Sequence, residues 1–327
     1  MAKQKPVFAQ QFNTTEAMSV PFNMPGGRNF LLRLIGWGAA LFLLVYAVFG
    51  RSIFGNYKEF LIASMELDQT NPDPEAAIAL MEQLGDMLWP ALLLSLFAWV
   101  IMAAIETAMH KNVFRGTDHG VFPLRFGKDE MRVMIAQFVL ALSMMGVYFL
   151  VIIAVVIMAT LTAALGAITP VLAVIGGLAT FAGAIFLFGL LIYFCLSVAP
   201  AAAMSVRDEK QYLFEGRKIT KGRGWPLFGT YLVVAVVGYI GIYIIMLLGA
   251  YLAFGDMQAI AALSGLDVDN PRELFDRMGE MLNTPKVKIT LVIFTIAYFV
   301  ALMVWYLCFW GVANYAAQLD AREKASA

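Results

Sequence analysis

The sequences LDQTNP, at residues 67–72, and LDVDNP, at residues 266–271, are two copies of one motif in an otherwise strongly apolar chain. Leu, Asp, Asn and Pro occupy the same positions in both copies. A second shared motif follows each copy, LGDML at 84–88 and MGEML at 278–282. Each copy lies between two long apolar runs, so the repeat predicts two related caps on two pairs of membrane helices.

The composition is typical of a polytopic membrane protein. Of the 327 residues, 61% are hydrophobic and 14% are charged, and the mean hydropathy is +0.76. Soluble domains average about 45–50% apolar and about 25% charged residues. The net charge is zero, which argues against nucleic acid as a partner because its binders carry a basic face. Cys195 and Cys308 lie inside apolar runs, where we expect them to pack as small hydrophobic side chains. The polar segment before the first run predicts no cleaved signal peptide.

Six apolar runs are long enough to cross a hydrocarbon core of about 30 Å, which takes around 20 helical residues. They occupy residues 30–49, 88–109, 133–161, 171–204, 227–254 and 287–317. We therefore predict an all-α, polytopic membrane protein with six transmembrane helices arranged as three hairpins, two of which carry amphipathic caps. The third and fourth runs exceed a bare crossing, and Pro200 predicts an end or a kink in the fourth.

The hairpins and the charge pattern together predict the organisation of the chain. The predicted segments are an N-terminal part (1–29), hairpin 1 with its cap (30–110), a loop with hairpin 2 (111–204), a loop with hairpin 3 and its cap (205–317), and a tail (318–327). Of the 23 lysines and arginines, 17 fall in the two termini and the loops between hairpins, and the other six fall in the alternate loops. This positive-inside pattern predicts cytoplasmic N- and C-termini and outward-facing acidic caps.

In both caps the sequence predicts a helix after the Asn-Pro pair, because asparagine caps a helix start and proline is tolerated in the first turn. The apolar faces of these helices are candidate docking surfaces. The residues concerned are Leu80 and Leu84 in the first copy, and Leu274, Phe275 and Met278 in the second. Three interpretations stay open: a packed cap without a ligand, a surface that binds a protein partner, and the lining of a substrate entrance.

Glu106 is the one acidic residue inside a predicted span. An ionisable side chain in lipid is costly and often functional, but Glu106 lies near the inner end of its helix, one turn before His110. A structural Glu106–His110 pair is the favoured interpretation, and a proton-coupled role is the alternative. The Glu-x-x-x-His spacing lacks a second histidine nearby, so we predict no metal site, and we predict no cofactor.

The loop before the fifth span predicts a short amphipathic helix over residues 208–221, ended by Gly222. Four cations cluster there: Arg217, Lys218, Lys221 and Arg223. Such clusters attract anionic lipid headgroups, at about 1 kcal/mol per charge. Ordinary topology signalling explains the same cations equally well.

Small residues recur in the fourth and fifth runs, where small-xxx-small spacing permits close helix contact. They include Gly176, Gly177, Gly183 and Gly189 in the fourth run, and Gly238, Gly241 and Gly249 in the fifth. We expect these residues to serve core packing, and a self-association face is the alternative.

The segment FEGRKITKGRGWPLF, at residues 214–228, resembles the start of a membrane span in YciC-like and glycerophosphodiester phosphodiesterase membrane-domain-like proteins. The segment LRFGKDEMR, at 124–132, is similar to segments of alphaproteobacterial members of that group. The resemblance implies a six-helix protein of the bacterial inner membrane, and the activity of the group is largely undefined. The phosphodiesterase activity does not carry over, because its catalytic domain is not in this sequence.

These observations predict a non-catalytic inner-membrane accessory or scaffolding protein, acting as a subunit of an envelope complex. Its expected partners are membrane lipids and either a periplasmic protein or a second copy of the chain. The alternative is a lipid or small-molecule transporter that uses the interface between hairpins. A membrane enzyme is the least supported class, because the sequence contains no recognisable nucleophile with its base.

Overall fold

The structure is a computed structural model that describes residues 12–66, 74–118, 120–167, 169–255, 276, 279–280 and 282–326. Within those ranges the regular elements are all helices. Six are long: α2 (Gly27–Glu66), α3 (Pro74–Arg115), α4 (Lys128–Gly166), α5 (Pro170–Val198), α8 (Gly224–Phe254) and α9 (Pro285–Ser326). The short elements are α1 (Thr14–Ser19), a 3-10 turn (Val20–Asn23), α6 (Ala201–Arg207) and α7 (Gly216–Thr220).

Six stretches of helix are long and apolar enough to cross a membrane. They are Gly27–Gly50, Ala77–Arg115, Lys128–Ala164, Pro170–Arg207, Gly224–Ala253 and Pro285–Ala325. Each of the six apolar runs of the sequence falls on one of these stretches. The predicted class, an all-α protein with six potential transmembrane helices, is therefore confirmed by length and composition.

Proline and threonine set two of the helix boundaries. Pro200 is the N-cap of α6, directly after the end of α5, so it interrupts the fourth span as predicted. Thr169 precedes α5, and its hydroxyl accepts a hydrogen bond from the backbone amide of Leu172 at 3.3 Å. Pro170 then occupies the first turn of α5, where a backbone donor is not needed.

The first predicted cap differs from the expected separate helix. Helix α2 continues from its span to Glu66, and α3 begins at Pro74 and runs without interruption into the membrane span, with Pro90 inside it. Leu80 is half-buried and Leu84 is exposed on this extension. The corresponding residues of the second copy, Leu274, Phe275 and Met278, lie outside the described residues.

Consecutive long helices pack most extensively in pairs, α2 with α3, α4 with α5, and α8 with α9. Helix α9 also contacts α1, α2, α3, α6 and α7, so it forms the centre of the molecule. One apolar core between α2, α3 and α9 includes Leu34, Ile105 and Met303. A second core, between α8, α9 and α1, includes Leu227 and Val312.

Some of the predicted small residues do sit at close helix contacts. An added Cβ at Gly238 of α8 would lie 2.1 Å from the indole of Trp305 on α9, and one at Gly249 would lie 2.8 Å from Phe294. In α5, Gly176 packs against Thr162 and Gly183 against Met158, both on α4. At Gly241, by contrast, an added Cβ meets no atom of the described residues within 4 Å.

Candidate functional site

Ionisable side chains concentrate at one end of the bundle, which we call the polar end. It comprises α1, the start of α2, the end of α3, residues 116–118 and 120–127, the start of α4, residues 199–223 and the last turns of α9. Ion pairs join these parts: Arg33 with Asp118 at 2.5 Å, and Arg207 with Asp320 at 3.1 Å. Charged groups from distant parts of the sequence therefore meet at the polar end.

A first ion-pair network fixes the start of α4 against the end of α3. Lys111 Nζ lies 2.7 Å from Glu130 Oε1, and Arg115 Nη1 lies 2.8 Å from Asp129 Oδ2. Both acids are buried, and Arg132 also contacts Asp129. The positive end of the α4 dipole and the cations of α3 and α4 compensate the burial of these two carboxylates.

A second network joins α6 to α9. The guanidinium of Arg207 binds both carboxylate oxygens of Asp208, at 2.7 and 2.8 Å, and reaches Asp320 and the carbonyl oxygen of Ala317. The hydrogen bonds from Arg207 lower the pKa of Asp208 below its usual range. Asp208 is therefore ionised at neutral pH and supports the contact between the two helices.

Glu106 and His110 contact each other, as the one-turn spacing of these residues suggested. His110 Nε2 lies 3.1 Å from Glu106 Oε1, and both side chains are buried. The amide of Gln137, from α4, donates to the second carboxylate oxygen of Glu106. The arrangement satisfies both oxygens of a buried carboxylate, which is the condition for keeping such a group in an apolar setting.

A cavity of about 170 Å³ adjoins this carboxylate, lined by Glu106, Gln137, Tyr231 and Ala313 among others. The buried carbonyl oxygen of the Gln137 side chain has no hydrogen-bond partner among the described residues. The cavity has room for a few water molecules, which the three polar side chains in its mostly apolar lining, Glu106, Gln137 and Tyr231, could bind. Sequence reasoning missed Gln137 and Tyr231, although a glutamine in an otherwise apolar run was an available signal.

The four predicted lipid-contact cations fall into two groups. Arg217, Lys218 and Lys221 are exposed, whereas Arg223 forms an ion pair with Glu323 of α9. The predicted helix over 208–221 is wrong for most of its length, since α7 covers five residues. The reason is a turn in which Glu209 has a φ of 55° and the amide of Tyr212 donates to Ser205 Oγ at 2.9 Å. Gly222, with a φ of 82°, follows the end of α7, in line with its predicted role as a stop.

At the opposite end of the bundle, the two outer segments touch. Lys58 Nζ, on the extension of α2, lies 3.0 Å from Asp276 Oδ1, in the segment that carries the second copy of the motif. The Lys58 side chain is 40% exposed and that of Asp276 is 73% exposed, so solvent screens this ion pair and it adds little stability.

The fold and the polar end define a helical protein with six potential membrane spans and several separate groups of ion pairs at one end. Comparison of the chain with protein-family models, with curated proteins and with solved structures finds no match in any of the three. Within the described part of the chain, no group of three or more His, Cys, Asp or Glu side chains could hold a metal ion.

Proposed function

We propose that the chain is a non-catalytic accessory or scaffolding subunit of a complex in the bacterial inner membrane. The observation that carries this proposal is the uneven packing of the spans. In the most apolar window of each span, none of the α4 residues and 6% of the α5 residues are buried within the chain, against 11% for α8, 17% for α9 and 22% for each of α2 and α3. The α4–α5 pair is thus the least covered part of the molecule.

The polar end supports the same proposal, because it holds this pair at a fixed place. Asp129 and Glu130 at the start of α4 are bound by cations of α3, and α6, which follows α5, is bound to α9 through Arg207. A two-helix element anchored at one end and uncovered along its length suits a subunit that offers an apolar face to a partner helix. In a bilayer such contacts rest on close van der Waals packing.

Site-specific photo-crosslinking in cells tests this proposal. A benzophenone amino acid would replace Phe181 or Phe186 of α5, which are 67% and 66% exposed, and Val237 of α8, which is 64% exposed, is the matched control. We expect a protein adduct of discrete mass at the two α5 positions and none at Val237. An adduct of twice the chain mass identifies a second copy as the partner. Lipid adducts alone at all three positions would contradict the proposal.

The placement in the membrane is part of the proposal. The charge pattern of the 23 lysines and arginines supports three hairpins, with the polar end and both termini in the cytoplasm and the two acidic segments in the periplasm. The resemblance to YciC-like and phosphodiesterase membrane-domain-like proteins, which stays a prediction, supports the bacterial inner membrane.

The cavity beside Glu106 favours a second candidate function, transport of a small molecule or a lipid between the helix pairs. If Glu106 carries a proton for that process, Glu106→Gln should abolish proton flux into proteoliposomes that contain a trapped pH dye, while the yield of folded protein stays unchanged. Equal flux in both proteins, or flux no greater than in empty liposomes, would remove this candidate.

A further inference from the structure

We infer that the chain binds an anionic phospholipid at the polar end, in a cavity between α5 and the start of α8. The cavity has a volume of about 600 Å³, within the range of about 300–1,000 Å³ typical of ligand sites. Its lining includes Gly189, Tyr193, Leu196, Lys221, Trp225 and Phe228. The α5 part of this site, residues 189–196, follows the crosslinking positions Phe181 and Phe186 along the helix, and the site shares no lining residue with the Glu106 cavity.

The charged rim of this lipid site is Lys221, which lines the cavity and is exposed, and two further exposed cations, Arg217 and Lys218, precede it on α7. Arg217, Lys218 and Lys221 have no acidic side chain within ion-pair distance among the described residues, whereas Arg223 is occupied by Glu323. Glu215 lies in the same segment, but its carboxylate accepts a hydrogen bond from the backbone amide of Leu213 at 2.8 Å. A phosphate group at the rim would therefore meet Lys221, which forms no ion pair with a described residue.

The rest of the lipid site is apolar and lies along the membrane span of α5. Leu196 and Tyr193 form one wall, and Phe228 of α8 forms the other. Gly189 borders the open space of the cavity, since an added Cβ there meets nothing within 4 Å in the described part of the chain. An acyl chain would fill this space, whereas a free phosphate ion would leave it empty.

Aromatic side chains mark the depth of the site. Trp225 is 83% exposed and packs edge-on against Phe228, with ring centroids 5.9 Å apart. Tryptophan and tyrosine prefer the boundary between headgroups and hydrocarbon, because their rings are amphipathic. Trp225 and Tyr193 therefore place the cationic rim at headgroup level and the apolar wall below it, which is the polarity of a phospholipid.

Native mass spectrometry of the full chain, released from nanodiscs of phosphatidylethanolamine with a minor share of phosphatidylglycerol, tests the site. We expect the wild-type chain to retain phosphatidylglycerol preferentially. Lys221→Gln should reduce that retention by about fivefold, from the usual contribution of one juxtamembrane charge. Lys210→Gln is the control, because it removes an exposed charge from the same segment outside the cavity.

A second pair of variants tests the acyl-chain wall without changing charge. Gly189→Leu should fill the cavity and reduce retention, and Gly177→Leu on the same helix should not, because Gly177 is open to its surroundings and does not line the cavity. Inorganic phosphate should not displace the bound lipid. Displacement by phosphate, together with full retention in Gly189→Leu, would identify a simple anion site and overturn the lipid assignment.

A fluorescence measurement tests the site without the charge-removing and cavity-filling variants, and it needs only one conservative aromatic replacement. Brominated phosphatidylglycerol in the nanodisc should quench the fluorescence of Trp225, obtained as the difference between the wild-type chain and Trp225→Phe, more strongly than brominated phosphatidylethanolamine. Equal quenching by the two lipids, or equal retention of both in the mass spectra, would overturn the inference.

Discussion

At the scale of single residues, Glu106 depends on neighbours from two helices. Its carboxylate contacts His110 and accepts a hydrogen bond from Gln137, and its side chain is buried. We predict that Glu106→Gln lowers stability by about 1–3 kcal/mol, because an amide offers one acceptor oxygen in place of the two that contact His110 and Gln137. Thermal unfolding in nanodiscs measures this loss. Glu59→Gln, at an exposed position of α2, is the control, and equal melting temperatures for both variants would contradict a structural role of Glu106.

The contact between Asp208 and Arg207 predicts that the stability of the fold depends on pH. Arg207 lowers the pKa of Asp208 in the folded protein, so the ionised carboxylate stabilises the fold above the ordinary aspartate pKa of about 3.9. That contribution is lost as the pH falls through the lowered pKa. We expect Asp208→Asn to reduce the melting temperature at pH 7 and to flatten its decline in acid. If the melting temperature of Asp208→Asn declines in acid as steeply as that of the wild-type chain, Asp208 is not the source of this pH dependence.

The residues of the site were predictable from the sequence only where they are close in the chain. Glu106 and His110 are one helical turn apart, so their contact follows from helix geometry. Gln137 belongs to another helix, and Arg223 finds its partner in Glu323, 100 residues later. Such contacts depend on how helices pack, which the pattern of apolar residues leaves undetermined.

At the scale of elements, Gly238 determines how closely α8 and α9 approach. The indole of Trp305 occupies the space that a side chain at Gly238 would need, and its Nε1 donates to the carbonyl oxygen of Val234 at 3.0 Å. We predict that Gly238→Ala costs about 1–3 kcal/mol, because the indole must move and lose this bond.

The matched control for that change is Gly241→Ala, on the same helix and clear of the described residues. It should be neutral, or stabilising by up to about 1 kcal/mol, because alanine favours the helix over glycine. Thermal unfolding of both variants in the same nanodiscs gives the comparison. If the two alanine variants melt alike, Trp305 does not determine the α8–α9 distance.

The sequence predicted which helices are long and apolar enough to cross a membrane better than where each helix ends. Long apolar runs identify spans because only helices of that length satisfy their backbone in lipid. The same runs do not show that α2 continues to Glu66 or that Pro90 lies inside α3. Residues 51–66 contain no proline and therefore allow the helix to continue beyond the apolar run.

At the scale of the whole molecule, the charge pattern predicts one orientation. In a chain with Cys195 and Cys308 replaced by alanine, single cysteines at Glu59 and Lys210 would lie on opposite sides of the membrane. A membrane-impermeant maleimide should label Glu59→Cys from the periplasm of spheroplasts and Lys210→Cys only in inverted vesicles. Labelling of Lys210→Cys in spheroplasts would reverse the proposed topology.

The molecule combines a polar end that is closed by ion pairs with an α4–α5 pair that is largely uncovered. Close packing around α9 joins α2, α3 and α8 to it, and Arg207 joins α6 to α9. The α4–α5 pair contacts these helices mainly through α3 and α6. The contrast between the helices packed around α9 and the largely uncovered α4–α5 pair supports the proposed role of the chain as a subunit.

The most direct test of that role is the mass of the chain when it is extracted with its native lipids from the membrane. Native mass spectrometry of these particles should show the 36.0 kDa chain together with a second polypeptide, or a second copy, at fixed stoichiometry. A single chain accompanied by lipids alone would contradict the subunit role.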